Sequence, residues 1–168
     1  MTDPRHPFAS MPMSGGIGGP VVEAGPVGGA GGRSLVVVVP MPPNLANARM
    51  HWRTRQQAKK DYFRALDTIA AVHHRLGPWP DNLSAIVIPP VPTPKLGRVT
   101  CDVHMHLGAA MDDDNASARL KFPLDWLVRR GYLTDDSRKW LRMNGYPTQT
   151  VSRKDAPYVR FTFTESPT

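Results

Sequence analysis

Apolar positions recur along this chain in two periods, and each change of period marks a new element. Leu35 to Val39 is an apolar, largely β-branched run stopped by Pro40-Met41-Pro42-Pro43, which predicts a buried strand leading into a loop. Ala58, Tyr62, Ala65, Leu66, Ile69, Val72 and Leu76 then recur every three or four residues, the stripe of an amphipathic helix, with Thr54 as its cap and Gly77-Pro78 as its end. Leu83 to Ile88 is a short strand pattern, and the prolines from Pro89 to Pro94 predict an extended connection. From Val99 the period becomes two: Val99, Cys101, Val103, Met105 and Leu107 alternate with Thr100, Asp102, His104 and His106, as in a half-buried strand. Asn115 to Arg130 reads as a helix through Leu120, Leu124, Leu127 and Val128, closed by Gly131. Pro123 lacks a donor and its ring crowds the preceding turn, which predicts a kink or two short helices. Tyr158 to Phe163 alternates again as a last strand.

Before these patterns, residues 1–33 hold mostly Gly, Pro and Ala with scattered Met. Such a stretch has little apolar surface to offset a large ordering entropy, so it reads as a disordered tail ahead of a domain over 34–168. A protein beginning at Ser34 is then expected to keep its activity. A glycine-rich nucleotide loop is the alternative, although no strand precedes it and no Lys-Ser or Lys-Thr closes it.

Charge narrows the range of partners. Lys and Arg number 21 against 14 Asp and Glu in 168 residues, a net charge of +7, which favours a polyanion: nucleic acid or an anionic membrane face. A basic surface kept for solubility is the plain alternative. The single cysteine, Cys101, excludes an internal disulfide and paired-thiol zinc motifs, and its place on the apolar side of its strand makes it a small buried hydrophobe. No apolar run approaches bilayer length, and the opening residues lack the core of a secretion signal, so no membrane association and a cytoplasmic location are expected.

Against this basic background stands Asp112-Asp113-Asp114-Asn115, followed one helix later by Thr134-Asp135-Asp136-Ser137. Clustered carboxylates repel one another unless a cation sits among them. On an extended backbone Asp112 and Asp114 aim at one point while Asp113 faces away, and Asn115 can cap the following helix. An Asp-rich turn that simply starts a helix explains the same four residues. An EF-hand is disfavoured by Ser117 where glycine is needed and Pro123 where glutamate is needed. If the helix doubles back on its strand, Asp135 or Asp136 returns to the knot, and three carboxylates with Lys121 form the constellation of a magnesium-dependent nuclease. His104 and His106, on one strand face with Asp102, offer a rival zinc site without a third nitrogen or sulfur ligand nearby in sequence.

The order of these motifs resembles the RusA-like endodeoxyribonucleases that resolve Holliday junctions, of the phage or prophage type. The resemblance runs from Asp112-Asp113-Asp114-Asn115, through Lys121 and Asp125 four apart, to Gly131-Tyr132-Leu133-Thr134-Asp135-Asp136. The opening strand, the proline turn and the Asn44-x-x-Asn47-x-Arg49 segment with Trp52 and Arg53 are also similar, so the likeness covers most of the chain after Arg33. It implies an α+β fold, a small mixed sheet with two main helices packed on it, assembled as a homodimer. It further implies Asp112, Asp114 and Asp136 as Mg2+ ligands, Lys121 as the catalytic-site lysine and Asn115 as a supporting residue. The implied activity is resolution of Holliday junctions or other branched DNA by paired nicks, in DNA recombination and repair.

Two departures stand out. The family's Arg run before the acidic motif is replaced by Gly108-Ala109-Ala110-Met111, which shifts the expected grip on DNA to Arg49, Trp52, Arg53, Arg55, Lys59 and Lys60. The step from Asn115 to Gly131 is longer and holds Pro123, leaving Arg119 as competitor to Lys121 for the catalytic-site cation. From another class, a non-catalytic protein that binds branched or single-stranded DNA through the same basic helix and Trp52 also fits the sequence.

Overall fold

The three clearest strand patterns become neighbouring strands of one sheet. In the computed structural model, which describes residues 32–44, 52–76 and 86–166, β1 (Ser34–Pro40), β2 (Val99–Leu107) and β5 (Tyr158–Glu165) lie side by side with β5 in the middle. β5 is antiparallel to both neighbours, pairing Val37 with Phe161 on one side and Val103 with Phe161 on the other. Alternation then sorts the side chains. Val37, Val39, Cys101, Val103, Met105, Val159, Phe161 and Phe163 are buried on one face, while Asp102, His104, Arg160 and Thr162 occupy the other.

Two further short strands, which the period along the chain does not predict, complete the sheet. β3 (Leu141–Met143) and β4 (Thr148–Val151) both run parallel to β2, at Val99–Cys101 and at His104–Leu107 respectively. They form one interrupted edge strand. Each piece is short and largely polar, so neither carries enough period-two alternation to be recognised alone. The expected strand over 83–88 lies partly outside the described residues; within them, Val87 and Val38 exchange backbone hydrogen bonds of 2.7 and 3.0 Å as an isolated bridge.

The helices cover the apolar face and make the fold a mixed α and β one. α1 (Trp52–Leu76) starts two residues before Thr54, which therefore sits inside the first turn and does not cap it. Its buried stripe is Tyr62, Phe63, Leu66 and Ala70, whereas Ala65 is exposed, a small rotation from the expected face. The second helical region is split into α2 (Asp113–Arg119) and α3 (Lys121–Arg130). The break falls at Leu120, not at Pro123, because Pro123 cannot donate to the Arg119 carbonyl four residues back and its ring would collide there. Pro123 thus lies in the first turn of α3, where a missing N–H costs least. Gly131 at φ 84° ends α3 in the left-handed conformation that glycine adopts without strain, and the Tyr132 N–H closes the turn on the Leu127 carbonyl at 2.9 Å.

Large aromatic side chains tie the layers together and satisfy their polar atoms. Trp126 is fully buried and donates its indole N–H to Asp67 of α1 at 2.9 Å. Tyr62 and Tyr132 donate to the Pro40 and Pro89 carbonyls at 2.9 and 2.6 Å.

Residues 1–31 of the expected tail lie outside the described residues. Arg33, assigned to that tail, belongs to the fold. It donates to both Glu165 carboxylate oxygens, at 2.6 and 3.0 Å, and to the Pro94 and Lys95 carbonyls at 2.7 and 3.2 Å. The proline-rich connection is thereby fastened to the end of β5. Among the described residues no helix is long and apolar enough to cross a membrane.

Candidate active site

The break at Leu120 sets the position of Lys121, the first residue of α3. One turn on, Asp125 meets it at 2.8 Å, the usual reach of an i,i+4 pair. After Gly131 the chain is anchored by the buried side chains of Tyr132 and Leu133, by a bridge from Leu133 to Leu96, and by the Thr134 hydroxyl donating to the Leu96 carbonyl at 2.9 Å. That anchoring decides which acidic residue returns. Asp135 turns into its own loop and accepts the Ser137 N–H at 3.0 Å, whereas Asp136 reaches Lys121 at 2.6 Å.

A fourth group extends the array. Lys59 of α1 donates to the second oxygen of Asp125 at 2.6 Å, giving the alternating chain Lys59, Asp125, Lys121, Asp136. The electrostatics follow from these contacts. The hydrogen bonds that Lys121 donates, to Asp125 foremost and to Asp136 next, raise its pKa far above the ordinary value and keep the ammonium charged. Burial pushes the Asp125 carboxyl up, but the hydrogen bonds from Lys121 and Lys59 overcome it and leave the group below its usual range.

Arg119 does not contact Asp136. It lines a cavity of about 390 Å3 together with Arg55, Gln56, Lys59, Lys121 and Asp125. Its Nε is buried without a hydrogen-bond partner, and burial lowers its pKa. The cation paired with Asp136 is therefore Lys121.

The acidic knot has a different shape from the expected one. Its backbone is extended only at Asp112, the residue before α2; Asp113 and Asp114 already lie in the first turn. Side chains two apart on a helix diverge, so Asp112 and Asp114 are not aimed by strand alternation. Asn115 does not cap α2; it sits one turn inside, with its side-chain amide 3.5 Å from the Asp112 carboxylate. Ser117, within a turn of Asp113 and Asp114, lines a cavity of about 580 Å3 that Lys121 and Asp136 also line. Asp112, Asp113 and Asp114 are all exposed. Among the described residues no three His, Cys, Asp or Glu side chains form a group able to hold a metal.

The basic segment is partly visible. Arg49 lies outside the described residues. Trp52 is 64% exposed, with the Arg53 guanidinium 5.5 Å from its ring centroid, and Arg55 and Lys60 are exposed along the first turns of α1. Lys59 differs from its neighbours by turning inward to Asp125. The i,i+4 spacing of Lys121 and Asp125 was a readable signal for part of this array; the arrival of Lys59 from another helix was not.

On the opposite sheet face the histidines have protein partners. Asp102 accepts from the Asn144 amide at 3.1 Å, and His104 Nδ1 pairs with the Thr148 hydroxyl at 3.0 Å. His106 stacks on Tyr158 with ring centroids 4.9 Å apart; its Nε2 is 3.3 Å from Asp155 but makes no hydrogen bond of good geometry. Burial, then the nearby His106 and Arg160, lower the His104 pKa.

Comparison with known proteins finds no family model and no curated relative that matches this chain significantly.

Proposed function

We propose that this protein is a magnesium-dependent endodeoxyribonuclease of the RusA-like type, which nicks four-way or otherwise branched DNA as a homodimer. The observation that carries the reading is the 2.6 Å contact between Lys121 and Asp136, which joins two motifs 15 residues apart beside a shared cavity. In a chain of net charge +7, an array of two lysines and two aspartates near the exposed Asp112, Asp113 and Asp114 fits hydrolysis of a phosphodiester in a polyanionic substrate.

Carboxylate oxygens are the donors a hard cation takes, and magnesium keeps much of its water, needing only one or two protein carboxylates together with substrate phosphate oxygens. Asp136, with Asp112 or Asp114, would be the residues to hold it, although among the described residues no three such side chains are gathered at one point. A magnesium ion held by these carboxylates would supply Lewis-acid polarisation of the scissile phosphate and a readied water. Lys121, kept protonated by Asp125 and Asp136, offsets negative charge that develops on the phosphate during cleavage. Asn115 supports the Asp112 carboxylate. Arg53, Arg55 and Lys60, with Arg49, hold the flanking DNA backbone through charge. Two copies related by a two-fold axis match the symmetry of a four-way junction and give paired nicks.

The test separates binding from cleavage. Asp114→Asn and Asp136→Asn should each bind a four-way junction within a few-fold of the parent and lose cleavage by about 100-fold or more. Undiminished cleavage in both variants would place the chemistry elsewhere. Salt-sensitive binding without magnesium-dependent nicking by the parent protein would instead identify a non-catalytic DNA-binding protein.

A further inference from the structure

The cavity that Lys121 and Asp136 line has a second side of different chemistry. Besides the charged pair, Leu120, Leu124, Met143, Tyr146 and Pro147 line the same volume of about 580 Å3 with apolar surface. Leu120, Leu124 and Pro147 are buried and Met143 is half-buried, so they belong to the core. Tyr146 does not, being 66% exposed.

Tyr146 sits in the gap that divides the edge strand into β3 and β4, and that gap is firmly held. On one side the Asn144 N–H donates to the Cys101 carbonyl at 3.0 Å and its amide to Asp102 at 3.1 Å. On the other, the Thr148 hydroxyl donates to the Val103 carbonyl at 3.2 Å. Gly145 at φ 94° makes the turn, and Pro147 restricts the backbone just after the ring. An aromatic ring displayed to solvent from a pinned turn contributes little to the core, and it is preorganised to meet a flat ligand.

A cation and an aromatic wall in one cavity match the two ends of a nucleotide. The ammonium of Lys121 suits the phosphate, and the ring suits the base, whose π-face stacks with little regard to sequence. We propose that Tyr146 stacks on a nucleobase turned out of the helical stack next to the phosphate at Lys121. This deepens the endonuclease reading and rests on it: the substrate at the cut is a strand with an unstacked nucleotide, as branch points and single strands provide.

Fluorescein-labelled single-stranded and four-way-junction DNA, titrated in EDTA, measures this stacking without cleavage. Tyr146→Ala should weaken binding about 5- to 100-fold with an unchanged melting temperature, and Tyr146→Phe should restore it to within about twofold. Replacing the nucleotides around the branch point one at a time by abasic sites should identify a position at which the parent and Tyr146→Ala bind equally. Native affinity in Tyr146→Ala, failure of Tyr146→Phe to restore binding, or a difference that survives every abasic position would overturn the proposal. If the ring-dependent binding holds while magnesium produces no nicking by the parent protein, the stacking site stands and the endonuclease reading fails.

Discussion

Lys121 Nζ lies 2.6 Å from Asp136 Oδ2 and 2.8 Å from Asp125 Oδ1, so one ammonium joins the start of α3 to the loop that precedes β3. Loss of that charge has a defined consequence under the endonuclease reading. Lys121→Met should lower the cleavage rate by about 100-fold or more, whereas Lys121→Arg, which keeps the charge in a different shape, should lose less. Single-turnover cleavage at saturating magnesium makes the measurement. Equal rates for Lys121→Met and the parent would remove the lysine from the chemistry.

The exposed basic side chains at the start of α1 predict a salt dependence. Each phosphate contact removed by Arg53→Gln, Arg55→Gln or Lys60→Gln should reduce the slope of log K against log salt by about 0.9 on duplex arms. Lys59→Gln should behave differently, because its charge is paired with Asp125 inside the site. Fluorescence anisotropy across a salt series in EDTA distinguishes the two behaviours.

Glu165 links stability to pH. The hydrogen bond from Arg33 foremost, with the Gly97 N–H helping and burial opposing, holds its carboxyl below the ordinary value of 4.5. A depressed folded-state pKa means the stabilisation is complete above about pH 4.5 and is lost as pH falls through the folded value. Glu165→Gln should therefore flatten the acid limb of the stability curve. A protein beginning at Ser34 should lose about 1 kcal/mol at pH 7, since Arg33 is partly exposed and its contacts are screened. Urea unfolding of both variants at pH 7 and pH 4 reads these effects.

Asp67 accepts the indole N–H of fully buried Trp126 and lies near Arg129 and Arg130. Asp67→Ala leaves that donor without a partner and should cost about 1–3 kcal/mol, while Asp67→Asn keeps an acceptor and should recover much of it. Thermal melting of the two variants provides the comparison.

Much of the framework was legible from local pattern. The β-branched run at Leu35 to Val39 and the strict alternation at Val99 to Leu107 and Tyr158 to Phe163 marked the three long strands, because burial on one face repeats every second residue. Pro123 announced a divided helix and Gly131 its end, since both act through the backbone of their own turn. The residue chemistry of the site was also visible: clustered aspartates, a lysine, and an excess of positive charge.

What tertiary structure decided were relationships across the chain. The two pieces of edge strand, β3 and β4, depend on a neighbour, β2, for their hydrogen bonds and carry little pattern of their own. Nothing local distinguishes Asp135 from Asp136, and the choice follows from how Tyr132 and Leu133 anchor the chain against Leu96 and Pro89. Arg33 looked like part of a glycine-rich tail until Glu165, 132 residues later, stood beside it. Likewise, Asp112 and Asp114 carried the right chemistry in sequence, but the onset of α2 changed the directions in which they point. Residue type and short-range period are properties of the sequence alone, whereas partner choice is set by long-range packing.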